Sequence, residues 1–345
     1  MPHLLSVAGF PYGGGMEEVV LVGFDGSETS GRALDWALSE ARSRGWRVRL
    51  VTVISAAGVD DPQVDHQYLA SARRGGEGVL QTALDRAGAM GLQAEGHVVS
   101  GDPSEVLVDE SASAGLAVVG KRGRGGFAGR LLGSVSSGLA AHGECPTVVV
   151  PERWTPGTTA AEISDEAAAA LPGGPVPWLV PSPQGGTDQG LHPPDPNEKF
   201  SYAGQVVVGV DAAGSSNPAV WAAAETASRH AIPLRMLSAR APFYRDSLWL
   251  DNVAGAQRFR EEVTAELDAA LGEVRGRYPE LDASWNFYVT KPAEVLIHAT
   301  RTAELMVLGT RGHGGFPGLL LGSVSQAVLH HGLCPMMVVP RGVQV

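Results

Sequence analysis

Cysteine is scarce, with two in 345 residues. That excludes a disulfide framework and an all-cysteine zinc site, and it points to a reducing, cytoplasmic compartment. Long hydrophobic runs are missing as well. No apolar stretch reaches the ~18–20 residues a membrane-crossing helix needs. Residues 1–11 carry no Lys or Arg ahead of a broken apolar stretch, so no secretory signal is read there. Positive charge is outweighed: 26 Lys and Arg stand against 37 Asp and Glu, a formal net charge of −11. Such a chain lacks the basic surface that non-specific nucleic-acid or anionic-membrane binding requires, so neither is expected as a partner. The Walker spacing G-x4-G-K-[ST] and the nucleophile elbow G-x-S-x-G are also absent, as is any Ser-His-Asp or metal-ligand spacing.

What is present is an ordinary globular composition, 44% hydrophobic and 18% charged, arranged as a duplication. Residues 120–136, GKRGRGGFAGRLLGSVS, return at 309–325 as GTRGHGGFPGLLLGSVS. His142-Gly-Glu-Cys-Pro-Thr-Val-Val-Val-Pro151 returns as His331-Gly-Leu-Cys-Pro-Met-Met-Val-Val-Pro340, and Pro103-Ser-Glu-Val-Leu107 as Pro292-Ala-Glu-Val-Leu296. Near the front, Val19-Val-Leu-Val-Gly-Phe-Asp25 matches Gln205-Val-Val-Val-Gly-Val-Asp211. A repeat of about 135 residues is domain-sized and too long for a solenoid unit. The sequence therefore divides into a flexible tail at 1–15, a first domain at 16–151, a linker at 152–203 and a second domain at 204–340. The linker holds nine prolines, which remove amide donors and block helix and sheet. One helical turn is expected near Ala161–Leu171, and the apolar patch Val176–Val180 is a segment able to dock on a domain.

Within the first copy, residues 18–24 form an almost unbroken apolar run, the pattern of a strand buried on both faces of a parallel sheet. Asp25-Gly-Ser-Glu-Thr-Ser supplies turn and cap chemistry, Ala33, Leu34, Ala37, Leu38 and Ala41 keep helical spacing, and Gly45 ends the helix. Further strands are read at 47–54, 94–99, 116–120 and 146–150. Further helices are read at 66–90, weakened by Gly75-Gly76, at 102–113 and at 131–142. The second copy repeats the order, with strands at 205–210, 234–239, 284–289, 305–309 and 335–339. Its helices fall at 216–230, 250–276, 292–302 and 320–332. Strict alternation predicts two doubly wound α/β domains whose ligands sit beyond the carboxyl ends of the strands.

The loop that leaves the fourth strand carries the chemistry. Gly120, Gly123, Gly133 and Ser134 have the spacing G-x2-G-x9-G-S, matched by Gly309, Gly312, Gly322 and Ser323. Glycine lets backbone approach a ligand and take positive φ, successive free amides make an anion cradle, and the next helix adds its unpaired N–H groups. Ser134 and Ser136 offer hydroxyl donors. Arg122 and Arg311, inside the cradle in both copies, are assigned to phosphate. A lone aspartate at Asp25 would be a turn or cap residue; recurrence at Asp211, beside the same loop, assigns both to a ligand. Cys145 and Cys334, each before proline on an apolar strand, are read as structural.

On these motifs both copies resemble the universal stress protein family in its tandem form, over 17–150 and 204–340, and the loop spacing resembles its ATP-binding branch. The resemblance implies a five-stranded parallel sheet in each copy, ordered 3-2-1-4-5, with ATP between the end of the first strand and the glycine loop. Asp25 and the backbone at Val53 would then reach the adenine side. Gly120, Gly123, Gly133, Ser134, Val135 and Ser136 would hold ribose and phosphates. The matching positions in the second copy are Asp211, Ala239, Gly309, Gly312, Gly322, Ser323, Val324 and Ser325, with a looser base wall because Ala239 replaces Val53. The implied function is that of an ATP-binding, nucleotide-dependent regulator of a stress response. A slow ATPase or adenylyl-transferring enzyme, and a scaffold with vestigial sites, are the alternatives. Mg²⁺ is expected only as the usual companion of ATP phosphates. The partners implied are the adenine nucleotide, an unidentified protein, and self-pairing through the last strands, as a homodimer or within one chain.

Overall fold

The computed structural model describes residues 17–55, 62–123, 132–155, 178–180, 201–211, 218–240, 253–310 and 320–342. These fall into two units, 1–156 and 157–345, each with its own core. The tail at 1–15 and the helical turn expected near Ala161–Leu171 lie outside the described residues.

In the first unit the chain alternates β1 (Glu17–Gly23), α1 (Glu28–Arg44), β2 (Arg47–Ile54), α2 (Pro62–Ala89), β3 (Ala94–Ser100), α3 (Pro103–Ser111), β4 (Ala114–Gly120), α4 (Ser134–His142) and β5 (Thr147–Val150). The strands lie parallel in the order β3-β2-β1-β4-β5. Strand order reverses at β1, where Val20 stands opposite Val48 of β2 on one side and Leu116 of β4 on the other. Right-handed crossovers put α1 with α2 on one face and α3 with α4 on the other. The central strands are therefore covered twice, and Val19, Val20, Leu21 and Val22 are buried.

Local signals set the helix ends. Ser27 caps α1, its Oγ accepting from Ser30 N, and Gly45 closes it in the left-handed region at φ 71°. Asp102 caps α3, accepting from Ser104 N and Glu105 N, with Pro103 in the first turn. Helix α2 runs unbroken through the glycine pair at 75–76. Gly76 lies where the helix crosses the sheet, and a Cβ there would stand 3.2 Å from Val98 Cγ1. Helix α4 starts at Ser134, later than the apolar pattern of 131–142 suggests, because Gly133 holds an extended backbone at φ −76°, ψ 159°.

The second unit repeats the pattern with β7 (Val206–Val210), α5 (Pro218–His230), β8 (Leu234–Ala239), α6 (Val253–Arg277), β9 (Ala283–Val289), α7 (Pro292–Ala299), β10 (Leu305–Gly309), α8 (Ser323–His331) and β11 (Met336–Val339). Its parallel strands run β11-β10-β7-β8-β9, the same order as the first unit read from the opposite edge. One strand is added. Preceding β7 in the chain, β6 (Trp178–Val180) pairs antiparallel with β9, Leu179 opposite Tyr288. The apolar linker patch thus docks by strand addition. The chemistry of the two edges explains why this side is covered: β9 reads ASWNFYV, with Trp285 and Phe287 buried, whereas β3 reads AEGHVVS and carries Glu95 and His97. Charged edges resist further pairing, and apolar ones invite it.

A buried hydroxyl recurs in both units. Ser111, at the end of α3, donates to Val108 O and accepts from Glu144 N at 2.9 Å. Thr300, just past α7, donates to Ile297 O and accepts from Leu333 N at 3.2 Å. Each ties the third helix of its unit to the turn that feeds the last strand. The cysteines that follow those turns, Cys145 and Cys334, are fully buried. Burial pushes the Cys145 thiol up to about 12, so it carries almost no reactive thiolate at neutral pH.

Candidate functional site

At the switch point of the first unit, beyond the carboxyl ends of β1, β2 and β4, the strand ends diverge around a cavity of about 320 Å³. Asp25, Val53, Gly120, Arg122, Gly123, Gly133, Ser134, Val135 and Ser136 all line it. Phe24, Val51, Pro103, Leu107, Val119 and Leu132 give it apolar lining as well. The cavity therefore combines apolar side chains with backbone, hydroxyls and a guanidinium, the usual mix of a small-molecule site.

Its shape depends on three close approaches. Gly23 leaves room for Leu107, whose Cδ1 would lie 2.7 Å from an added Cβ. Gly120 lets the end of β4 meet α1, where an added Cβ would stand 2.8 Å from Thr29 Cγ2. Gly123 comes against Asp25, with 2.6 Å between an added Cβ and Oδ2. The glycines act through missing side-chain volume. Gly120, Gly123 and Gly133 do not have positive φ, while the other glycines of the loop, Gly125, Gly126 and Gly129, lie outside the described residues. The carboxylate of Asp25 also orders its own turn, accepting from Ser27 N at 2.9 Å.

The polar side centres on the start of α4. Gly133 is its N-cap and supplies no side-chain oxygen, so the first-turn amides and the positive end of the helix dipole meet the cavity without a competing cap. The loop is stapled beneath this turn: Gly133 N donates to Lys121 O at 2.9 Å, and Lys121 N donates to Val150 O at 2.8 Å. Ser136 is buried and its Oγ lies 2.9 Å from Lys121 O and 3.1 Å from Gly133 O. Its single hydroxyl hydrogen serves the loop, which makes Ser136 a clamp on the cradle. Arg122 reaches Glu152, with Nε 2.7 Å from Oε1 and Nη2 donating to Oε2 at 3.3 Å.

The second unit reproduces the staple. Gly322 caps α8 at φ −70°, ψ 153° without a side chain, Gly322 N donates to Thr310 O, and Ser325 Oγ donates to Gly309 O at 2.7 Å. Ala239 ends β8 and Asp211 follows β7, as Val53 and Asp25 stand in the first copy. Ser323 and Val324 open α8, while Arg311 and Gly312 lie outside the described residues. Sequence reasoning missed Phe24, Ser30, Pro103, Leu107 and Glu152. The Pro-x-Glu-Val-Leu recurrence held the signal for Pro103 and Leu107. Nothing in the spacing marked Glu152, which reaches the loop only because β5 lies beside β4.

Among the described residues no helix is long and apolar enough to cross a membrane, and no group of three or more His, Cys, Asp or Glu gathers as a metal site. Comparison with known proteins gives a family. The model of the universal stress protein family matches residues 16–151 and again 203–340. Universal stress protein Rv1996 of Mycobacterium tuberculosis is 30% identical over 344 residues, covering 92% of this chain and 94% of its own length. A crystal structure of a universal stress protein from Archaeoglobus fulgidus covers 94% of this chain and 97% of its own at a TM-score of 0.58 and 20% identity. A solved universal stress protein in complex with cAMP covers 40% of this chain at 30% identity and a TM-score of 0.30.

Proposed function

The chain belongs to the universal stress protein family, with two such domains in tandem, and on that premise we propose that it binds ATP and acts as a nucleotide-dependent regulator in a stress response. One observation carries the reading: in the first unit an uncapped helix start and a set of apolar side chains line the same cavity. The helix start suits phosphate, and the apolar side chains suit a purine. Asp25, beside Gly123 and in the same lining, is assigned to ribose or base on this reading. The matching staple at Gly309, Gly322 and Ser325 supports a second nucleotide in the second copy. Mg²⁺ would ride on the phosphates, with Asp25 the only carboxylate among the described residues lining the cavity. Among the described residues no histidine joins that lining, and Asp25 accepts from Ser27 N through Oδ1. Slow hydrolysis belongs to this reading, with the bound state carrying the signal. A cytoplasmic location goes with this reading.

The test is to heat-denature freshly purified protein and quantify released nucleotide per chain by chromatography and mass spectrometry. The expected result is adenine nucleotide at up to two per chain, ATP in excess of ADP. Absence of nucleotide, followed by no binding of added ATP, ADP, AMP or cAMP in a calorimetric titration, would overturn the proposal.

A further inference from the structure

Arg122 is the only cation among the described residues that line the cavity, and its guanidinium is already engaged. Glu152 meets it at two points, Nε to Oε1 and Nη2 to Oε2. That paired geometry is the one a guanidinium also offers to a phosphate. The partner is held in place by backbone. Lys121 N donates to Val150 O, so residues 121–122 and 150–152 leave neighbouring strands side by side. Both side chains are partly in water, Arg122 32% and Glu152 42% exposed, so the pair is weak enough to exchange.

The second unit carries the same lock, Thr310 N donating to Val339 O at 3.2 Å, and opposite chemistry behind it. Where the first copy reads Pro151-Glu152, the second reads Pro340-Arg341. An acid follows the last strand in one copy and a base in the other.

We infer that Glu152 is an internal competitor for the phosphate end of the ligand, occupying the guanidinium of Arg122 until a nucleotide phosphate displaces it. The inference rests on the nucleotide reading above and adds a selectivity to it. A ligand with several phosphates brings enough negative charge, together with the amides of α4, to take Arg122 from a carboxylate. Adenosine has nothing to exchange for Glu152 and binds without touching the pair. Glu152 therefore sets how much phosphate the first site demands. Arg341, at the equivalent position, imposes no such demand on the second.

The experiment uses the full chain and reads each copy separately. 8-Azido-ATP and 8-azido-adenosine are titrated and photolysed, and labelled peptides are assigned to 16–151 or 203–340 by mass spectrometry. In Glu152→Gln, half-saturation of first-copy labelling by the ATP probe is expected to fall about three- to tenfold, with the adenosine probe unchanged. Arg341→Glu is expected to raise half-saturation for the ATP probe at the second copy by a similar factor. In an Arg122→Ala background the Glu152→Gln effect should vanish. If both probes shift together in Glu152→Gln, or neither shifts, the inference falls while nucleotide binding stands. If neither probe labels the wild-type chain or the variants, the nucleotide reading falls and takes the inference with it.

Discussion

The two units differ most at the amino ends of their strands, far from the glycine loops. In the first, Arg49 is buried on β2 and meets Glu17 at 3.0 Å, Glu95 at 3.0 Å, Glu110 at 3.5 Å and the hydroxyl of Ser113 at 2.8 Å. In the second, Arg235 at the matching place on β8 donates to the neutral Gln205 at 3.3 Å. Helix capping diverges in the same direction: Asp102 caps α3 through its side chain, whereas Lys291 stands before α7 with no such bond. The second unit instead has an apolar outer strand and β6 against it. One fold is thus held at its periphery in two ways, by charge in the first unit and by added strand in the second, while the staple at the start of α4 recurs at α8.

Five perturbations break or sharpen that contrast. The largest is Arg49→Ala, which removes a buried guanidinium shared by three carboxylates; unfolding of the first unit should become easier by about 2–3 kcal/mol. Arg235→Ala should cost the second unit about 1 kcal/mol, the loss of one neutral-acceptor hydrogen bond. Denaturant unfolding followed unit by unit checks both, and equal costs would erase the distinction. Next, Gly123→Val puts side-chain atoms against Asp25 and fills the first cavity. First-copy nucleotide affinity should drop by roughly a hundredfold or more, with the second copy's share of released nucleotide retained.

Leu179→Pro is smaller, since it removes an amide from a three-residue edge strand. It should speed hydrogen exchange at Phe287–Val289 about tenfold and leave β3 untouched. Smallest is a pH effect. His97 and Arg49 hold the Glu95 carboxyl down at about 2, against an ordinary value of 4.5. A depressed carboxyl contributes stability that is fully present above its unfolded value and is lost as pH falls from 4.5 toward 2. Glu95→Gln should flatten the melting temperature of the first unit across that window, and an unchanged slope would discharge Glu95 from the network.

Much of the fold was legible in the sequence, because its signals are local. Asp102-Pro103 marked the start of α3, Gly45 the end of α1, and the run at 18–24 a strand covered on both faces. The packing role of Gly76 was not legible for the opposite reason: it depends on Val98, which is adjacent only after β3 has formed. The strand at 178–180 looked like a sticky linker patch, since what makes it a strand is the edge of β9. The candidate site divides likewise. Gly133 and Ser136 announced themselves by recurrence, whereas Glu152 differs between the copies and recurrence was silent about it.

The hydroxyl shared by Ser111 and Thr300 has a consequence for how such a chain can drift. At that position the two copies agree on an oxygen and disagree on the residue. The backbone amides of Glu144 and Leu333 ask only for an acceptor at the right distance. Exchange of serine for threonine therefore keeps the acceptor there, while valine, equal to threonine in shape, would leave a turn amide without it.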